Sequence, residues 1–295
     1  MASEDTVATS SDEAQVRQQG YDSYLLPTDN IEARRFLEQQ RALSEIYEGR
    51  IVIAPVHLTL ESEVLDVATG SGVWALDFAE RHPNAASTKI ICIDIGAKMF
   101  PLTHPPNVTF QTVSALSMPA DWTNKFMLVH QRLILTGIKK DEWEQDIREI
   151  YRVAASGGWA QICEYNSGYE VTGVTTGPAT KRSEELYTRL GEKTGIDFFC
   201  ARRIPDLMKA AGFVDVDVEE RVVPLGAWNG DISRRFAETM ITTFRGLKAV
   251  VLKYDGLGVV HSPEEYDEMV DEIEREWAAG PGAHVVWDVF VGRKV

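Results

Sequence analysis

Two acids, Asp66 and Asp94, close two short apolar runs, Val64-Leu65 and Ile90-Ile91-Cys92-Ile93, and a turn of small residues, Ala68-Thr69-Gly70-Ser71-Gly72, follows the first of them. These residue types at this spacing suit the binding of a nucleoside. Gly70 and Gly72 can adopt positive φ and let the backbone come close to a ligand. A carboxylate about 20 residues beyond such a turn is placed to bridge two ribose hydroxyls, and Asp94 stands there.

Asp66 bears on which nucleoside. Gly70-x-Gly72-x-x-Ala75 also satisfies the dinucleotide fingerprint with alanine in its last place. A dinucleotide turn has to accept a pyrophosphate, which an acid at its mouth repels. S-adenosylmethionine brings a sulfonium cation and an amino group instead, and an acid is favourable there. An ordinary strand–turn–helix with no ligand is the structural alternative.

The elements that must position these residues follow from hydrophobic periodicity. Thr28 or Asp29 can cap a helix running to about Tyr47. Strands are expected at 63–68, 89–95, 108–113, 126–130 and 159–164. A helix from about Lys140 to Ala155 carries Trp143, Ile147, Ile150 and Ala154 on one face, with Gly157-Gly158 as its stop. Helices near 181–193 and 202–211, a long strand from Phe213 to Val223, a helical stretch over 230–279 and a last strand at His284–Gly292 complete the chain. Strands alternating with helices imply an α/β fold around a parallel sheet.

Composition narrows the partners. Net charge is −15, which argues against nucleic acid or an anionic membrane, since both require clustered Lys and Arg. No apolar run approaches the roughly 20 residues of a membrane span. The polar, acidic start, Met-Ala-Ser-Glu-Asp, is neither a secretory signal nor an Arg-rich transit peptide, so a cytoplasmic protein is expected, with the nucleus as a further compartment. Cys92, Cys163 and Cys200 are odd in number, and two sit in apolar strand patterns, so they read as buried thiols. The 6 histidines show no paired ligand spacing, and no metal is expected.

In combination, these motifs resemble the class I S-adenosylmethionine-dependent methyltransferases, and among them the fungal secondary-metabolism group that includes regulator-type members. The matching segments are Tyr24-Leu-Leu-Pro-Thr-Asp29, Leu65-Asp-Val-Ala-Thr-Gly-Ser-Gly-Val-Trp-Ala75, Asp77-Phe-Ala-Glu-Arg-His-Pro83, Asp121-Trp122, Phe126-Met-Leu-Val-His-Gln-Arg132, Ile150-Tyr-Arg-Val153, Gly157-Gly-Trp-Ala-Gln-Ile-Cys-Glu164, Ala211-Gly-Phe-Val-Asp-Val216 and Val291-Gly-Arg-Lys-Val295. The resemblance implies a Rossmann-like seven-stranded, mostly parallel sheet with its last strand antiparallel, an N-terminal helical cap and a C-terminal helical insertion. The chain then divides into an acidic, disordered tail (1–19), the cap (20–60), the cofactor-binding core (61–166), and the rest of the sheet with pocket-forming helices in the same domain (167–295). Ala68 stands where relatives have the first glycine of the turn. Val113-Ser114-Ala115 offers a hydroxyl where many carry an acid. Ala154-Ala-Ser-Gly-Gly158 stands for a common Leu-Lys-Pro-Gly-Gly.

Roles follow from the resemblance. The cofactor is S-adenosylmethionine, leaving as S-adenosylhomocysteine. Asp66 and the backbone of Ala68, Gly70, Ser71 and Gly72 would hold its methionine end. Asp94 would hold the ribose, Ile95 would pack on the adenine, Ser114 and Ala115 would border it, and Tyr24 would close the site. His130 and Gln131 end the fourth strand at the edge where ligands bind, His130 either positioning the sulfonium side or acting as a base. Tyr21, Arg132, Tyr165, Asn166, Trp228 and Met240 are expected around the acceptor, with Phe236, Phe244 and Tyr254 adding aromatic character. Plain packing is the structural alternative for most of these. The expected activity is in-line methyl transfer to oxygen, nitrogen or sulfur of a small-molecule acceptor, and a homodimer is compatible with it. The alternatives are a cofactor-binding regulator or complex subunit, a methyltransferase fold turned to another reaction, and a nicotinamide enzyme.

Overall fold

The computed structural model describes residues 24–82, 87–166 and 176–295; the acidic tail and Tyr21 lie outside them. Helix α1 (Asn30–Ile46) begins where Asp29 accepts the Glu32 backbone N–H at 2.9 Å, satisfying one of the orphan donors of its first turn. Strand β1 (Glu63–Val67) leads through the glycine turn into α2 (Val73–Arg81). Strands β2 (Lys89–Asp94), β3 (Val108–Thr112) and β4 (Phe126–Arg132) follow, then α3 (Trp143–Val153) and β5 (Ala154–Asn166). The chain continues through α4 (Pro178–Thr194), α5 (Ile204–Ala211), β6 (Val214–Pro224), α6 (Asp231–Lys253), α7 (Pro263–Ala279) and β7 (His284–Arg293).

The strands form one seven-stranded sheet in the order β3-β2-β1-β4-β5-β7-β6. β1 is parallel to β2 and β4, β2 to β3, and β4 to β5; β7 inserts antiparallel between β5 and β6. The expected sheet is therefore present, including its antiparallel last strand. Boundaries differ from the sequence reading, most at the junction of α3 and β5. α3 ends at Val153, and Ala154 already pairs with Phe126, so β5 starts earlier than Trp159 and is 13 residues long. Gly157 lies within that strand at φ 77, beside a register shift between Phe126 and Leu128, and serves as a bulge residue, not a helix stop.

The central strands are buried on both faces, and Val64, Leu65, Ile90, Ile93, Leu128 and Val129 are fully enclosed. That is what parallel strands covered by helices require. The order β1-β4 reverses the direction in which the sheet grows, and in open α/β sheets ligands bind at the carboxyl ends of the strands at this switch point. Helix α1 packs against α2 and α6 over those ends.

Candidate functional site

The turn after β1 is shaped by backbone conformation. Ala68, Gly70 and Gly72 have φ of 53, 57 and 74. A side chain costs little energy at none of these but glycine, so Ala68 carries local strain of about 1–2 kcal/mol. A Cβ on Gly70 would sit 2.9 Å from the Phe36 ring of α1. A Cβ on Gly72 would sit 2.6 Å from the Phe110 ring of β3. The turn is tied to β2 by Asp94, whose Oδ2 accepts the Gly70 N–H at 2.9 Å and whose Oδ1 accepts the Gly96 N–H at 3.2 Å. Burial pushes the Asp94 carboxyl above its usual range, and these backbone donors pull it back.

Asp66 does not project freely into the site. It is 2% exposed, its Oδ2 accepts the Thr69 hydroxyl, and its Oδ1 meets His130 Nδ1 at 2.7 Å. The register explains the meeting, because Asp66 of β1 is the direct neighbour of His130 of β4. The Trp74 indole stacks on the imidazole, 3.7 Å between centroids and 5° from parallel. A carboxylate oxygen accepts, so Nδ1 carries the hydrogen and Nε2 is left as an acceptor. Burial lowers the His130 pKa below the usual 6.5, outweighing the pull of Asp66, so the ring is neutral at pH 7.

Helix α1 supplies a polar face that sequence reasoning missed. Glu32 is fully buried and accepts Arg35 Nε and Nη2 at 2.9 and 2.6 Å; the Tyr24 hydroxyl donates to it at a longer 3.4 Å. Gln39 lies one turn further on and is also buried. The signal was present in the spacing: Glu32, Arg35 and Gln39 fall at i, i+3 and i+7 on one helical face. Polar residues on the face that a cap helix turns inward mark a wet interior.

A cavity of about 270 Å³ joins these parts. It is lined by Tyr24, Asp66, Ala68, Gly70, Asp94, Ile95, Ser114, Ala115, His130, Arg132, Tyr165 and Met240 among the expected residues. Glu32, Arg35, Phe36, Gln39, Trp74 and Thr243 line it as well. Ile95 is 51% exposed at its rim. The Ser114 hydroxyl accepts the Leu116 N–H at 3.2 Å and so also closes its own turn.

Several expected residues are elsewhere. Gln131 alternates to the face opposite His130, where its Nε2 donates to Asp146 of α3 at 2.8 Å. Ser71 and Gly72 do not line the cavity; Gly72 makes room for Phe110. Asn166, at the end of β5, accepts from Arg202 Nε at 3.4 Å. Trp228 is 37% exposed and donates to the Leu225 carbonyl at 3.0 Å. Phe236 packs on Trp287, Phe244 on Tyr187 and Trp277, and Tyr254 ends α6, so from α6 only Met240 and Thr243 reach the cavity among the described residues. No cluster of His, Cys, Asp and Glu suited to a metal occurs among the described residues, and no helix among them is long and apolar enough to cross a membrane.

The comparisons agree with this geometry. A methyltransferase-domain family model matches residues 64–158, the stretch that carries the turn, Asp94 and His130. The chain is 31% identical over 211 residues to the N-methyltransferase sirN of Leptosphaeria maculans, covering 71% of this chain and 72% of that protein. It is 25% identical over 276 residues to the N-methyltransferase gliN of Aspergillus fumigatus, 90% and 95% of the two chains, and 26% identical to the secondary metabolism regulator LAE1 of Cochliobolus heterostrophus, 70% and 68%. Among solved structures, Haemonchus contortus phosphoethanolamine N-methyltransferase 2, in complex with phosphomonomethylethanolamine and S-adenosylhomocysteine, shares the fold with a TM-score of 0.54 at 17% identity. That match covers 97% of this chain and 61% of that one.

The chain belongs to the class I S-adenosylmethionine-dependent methyltransferases, in the group acting in fungal secondary metabolism. Its cofactor is S-adenosylmethionine. The residues present fit that group: a left-handed turn opens onto the cavity, a carboxylate stands at the end of β2, and Asp66 beside the turn disfavours a pyrophosphate there.

Proposed function

We propose that the chain methylates a nitrogen atom of a small-molecule secondary metabolite. The observation that carries this reading is the fixed imidazole of His130, held neutral in the cavity wall by Asp66 and Trp74. The N-methyltransferase names of sirN and gliN support nitrogen as the accepting atom. When bound, S-adenosylmethionine supplies a methyl group already activated by its sulfonium.

What remains for the chain is placement. Asp94 holds the ribose, while Ala68 and Gly70 offer their backbone to the methionine end. Ile95, Ser114 and Ala115 border the adenine, and Tyr24 closes the site. His130 Nε2 accepts a hydrogen bond from the acceptor N–H and so turns the nitrogen lone pair toward the methyl group. The proton freed from nitrogen leaves to water. Alignment and exclusion of water then provide most of the rate. Tyr165, Met240 and Thr243 form the acceptor wall.

A regulator-type role without turnover is the second reading, supported by the similarity to LAE1. Incubation of the protein with isotopically labelled S-adenosylmethionine and a library of amine-bearing metabolites, followed by mass spectrometry, separates the two. Label transferred to nitrogen of a metabolite is expected. Cofactor binding with no labelled product from any amine, alcohol or thiol would favour the regulator.

A further inference from the structure

We infer that Gln39 of α1 selects the acceptor: its carboxamide hydrogen-bonds a neutral polar group, a hydroxyl or an amide, that the acceptor carries beside the methylated nitrogen. This deepens the methyltransferase reading and rests on it.

Gln39 is 4% exposed and lines the cavity, yet neither end of its carboxamide has a hydrogen-bond partner among the described residues. The next residue shows the contrast. Gln40, equally buried, donates to Asp77 Oδ2 at 2.6 Å and accepts from Arg132 Nη1 at 2.5 Å. Both ends of Gln40 are used in holding α1 to α2 and β4; both ends of Gln39 are open. A carboxamide taken out of water without a partner destabilises the fold, so an unpaired one in a cavity wall marks a place for a ligand.

The helices show which part of the ligand. Glu45, near the end of α1, pairs with Arg235, near the start of α6, at 2.5 Å, and the two helices pack along one another. At the α-helical rise, Gln39 lies about 9 Å back along α1 from Glu45, while Met240 and Thr243 lie about 7.5 and 12 Å along α6 from Arg235. Gln39 therefore stands beside the two α6 residues that line the cavity. Helix α6 also packs through Phe236 on Trp287 of β7, on the β5 and β7 side of the sheet. Asp94 and Ser114, which serve the ribose and adenine, lie on the other side, at β2 and β3. Of the three neighbours, Met240 has no donor, and the Thr243 hydroxyl donates to the Thr239 carbonyl at 2.9 Å. Gln39 has both a donor and an acceptor to give.

A carboxamide is uncharged and presents two N–H donors and a carbonyl oxygen. A hydroxyl or an amide of the ligand uses both functions; a carboxylate uses only the donors and an ammonium only the oxygen. With the acceptor N–H on His130 Nε2, the Gln39 contact is a second point that fixes how the acceptor lies. An analogue lacking the group leaves the buried carboxamide unpaired and is rejected for that reason.

The full chain is compared with Gln39→Met, which keeps the length and removes both polar ends. Thermal denaturation and calorimetry with S-adenosylhomocysteine are measured for both. Both are then incubated with labelled S-adenosylmethionine and a library of amine-bearing metabolites, and steady-state kinetics follow on the metabolite that the wild type labels most. Gln39→Met is expected to melt no lower than the wild type, since it removes an unpaired buried polar group, and to bind S-adenosylhomocysteine equally well. The labelled metabolite is expected to bear a hydroxyl or an amide, and kcat/KM for it to fall at least about tenfold in the variant. A variant that fails to fold or melts lower would make Gln39 structural, and weaker S-adenosylhomocysteine binding would assign it to the cofactor; either overturns the inference. Unchanged kcat/KM, or a labelled metabolite with neither group, overturns it as well. Binding of S-adenosylhomocysteine with no label in any metabolite would overturn the methyltransferase reading itself, and the assignment with it.

Discussion

His130 Nδ1 and Asp66 Oδ1 meet at 2.7 Å between neighbouring positions of β4 and β1, with Trp74 stacked on the ring. The strand-end acid of this turn is thus bound to a histidine of the neighbouring strand. Two contacts hold the imidazole: the Asp66 bond and the indole face. That leaves Nε2 as the ring nitrogen free of the Asp66 bond.

Substitution of His130 separates placement from base chemistry. His130→Asn keeps a polar group near the acceptor and is expected to lower kcat by about tenfold or less, with cofactor affinity unchanged. A base would cost roughly 100-fold or more and remove the acidic limb of the rate profile. Because burial lowers the His130 pKa, that limb in the wild type is expected below pH 6.5. A 100-fold loss with intact binding would make His130 the base.

Asp94→Ala is expected to weaken S-adenosylhomocysteine at least tenfold. Two charge-assisted bonds to the ribose are lost, roughly 2–4 kcal/mol before water compensates. The variant also frees the N–H groups of Gly70 and Gly96, so a lower melting temperature should accompany the loss. Unchanged affinity in a folded variant would show that the ribose is held elsewhere.

Ala68→Gly is expected to stabilise. The native φ of 53 is left-handed, and relieving it outweighs the added freedom of the unfolded chain by up to about 1 kcal/mol. Thermal denaturation should show a rise of a few degrees; a fall would mean that the Ala68 methyl packs usefully.

Buried acids on α3, β5 and β7 set a pH dependence of stability. Asp146 is fully buried against Gln131, and burial pushes it up to about 7; Glu164 is pushed up in the same way, and Asp288 to about 6. The folded protein keeps these protons while the unfolded chain releases them near pH 4. Their contribution is full below that pH and is lost as pH rises to about 7. Asp146→Asn should flatten the fall in melting temperature between pH 4 and 7. An unchanged slope would contradict the assignment.

Much of this site could be read from the chain. Asp66, the glycine turn and Asp94 are bracketed by apolar runs whose burial left little freedom in where their ends lie. The alternation of strands and helices defined the sheet for the same reason. Gln131 was misplaced although period-2 alternation sends it away from His130. The roles of Gly70 and Gly72 were legible only as conformational freedom, because their close neighbours, Phe36 and Phe110, come from elements distant in sequence. The α6 residues failed differently: which turn of a long helix meets the cavity depends on tertiary docking, and only Met240 among those named does so. The polar face of α1 was visible in its spacing, but without the cavity nothing distinguished Glu32 and Arg35 from a solvated ion pair.

The central claim is that this turn, with its two acids, binds S-adenosylmethionine and not a dinucleotide. Calorimetric titration of the wild type with S-adenosylhomocysteine, and separately with NAD, tests it most directly. Saturable one-to-one binding of S-adenosylhomocysteine with no heat from NAD is the expected result. Saturable binding of NAD with no response to S-adenosylhomocysteine would contradict it.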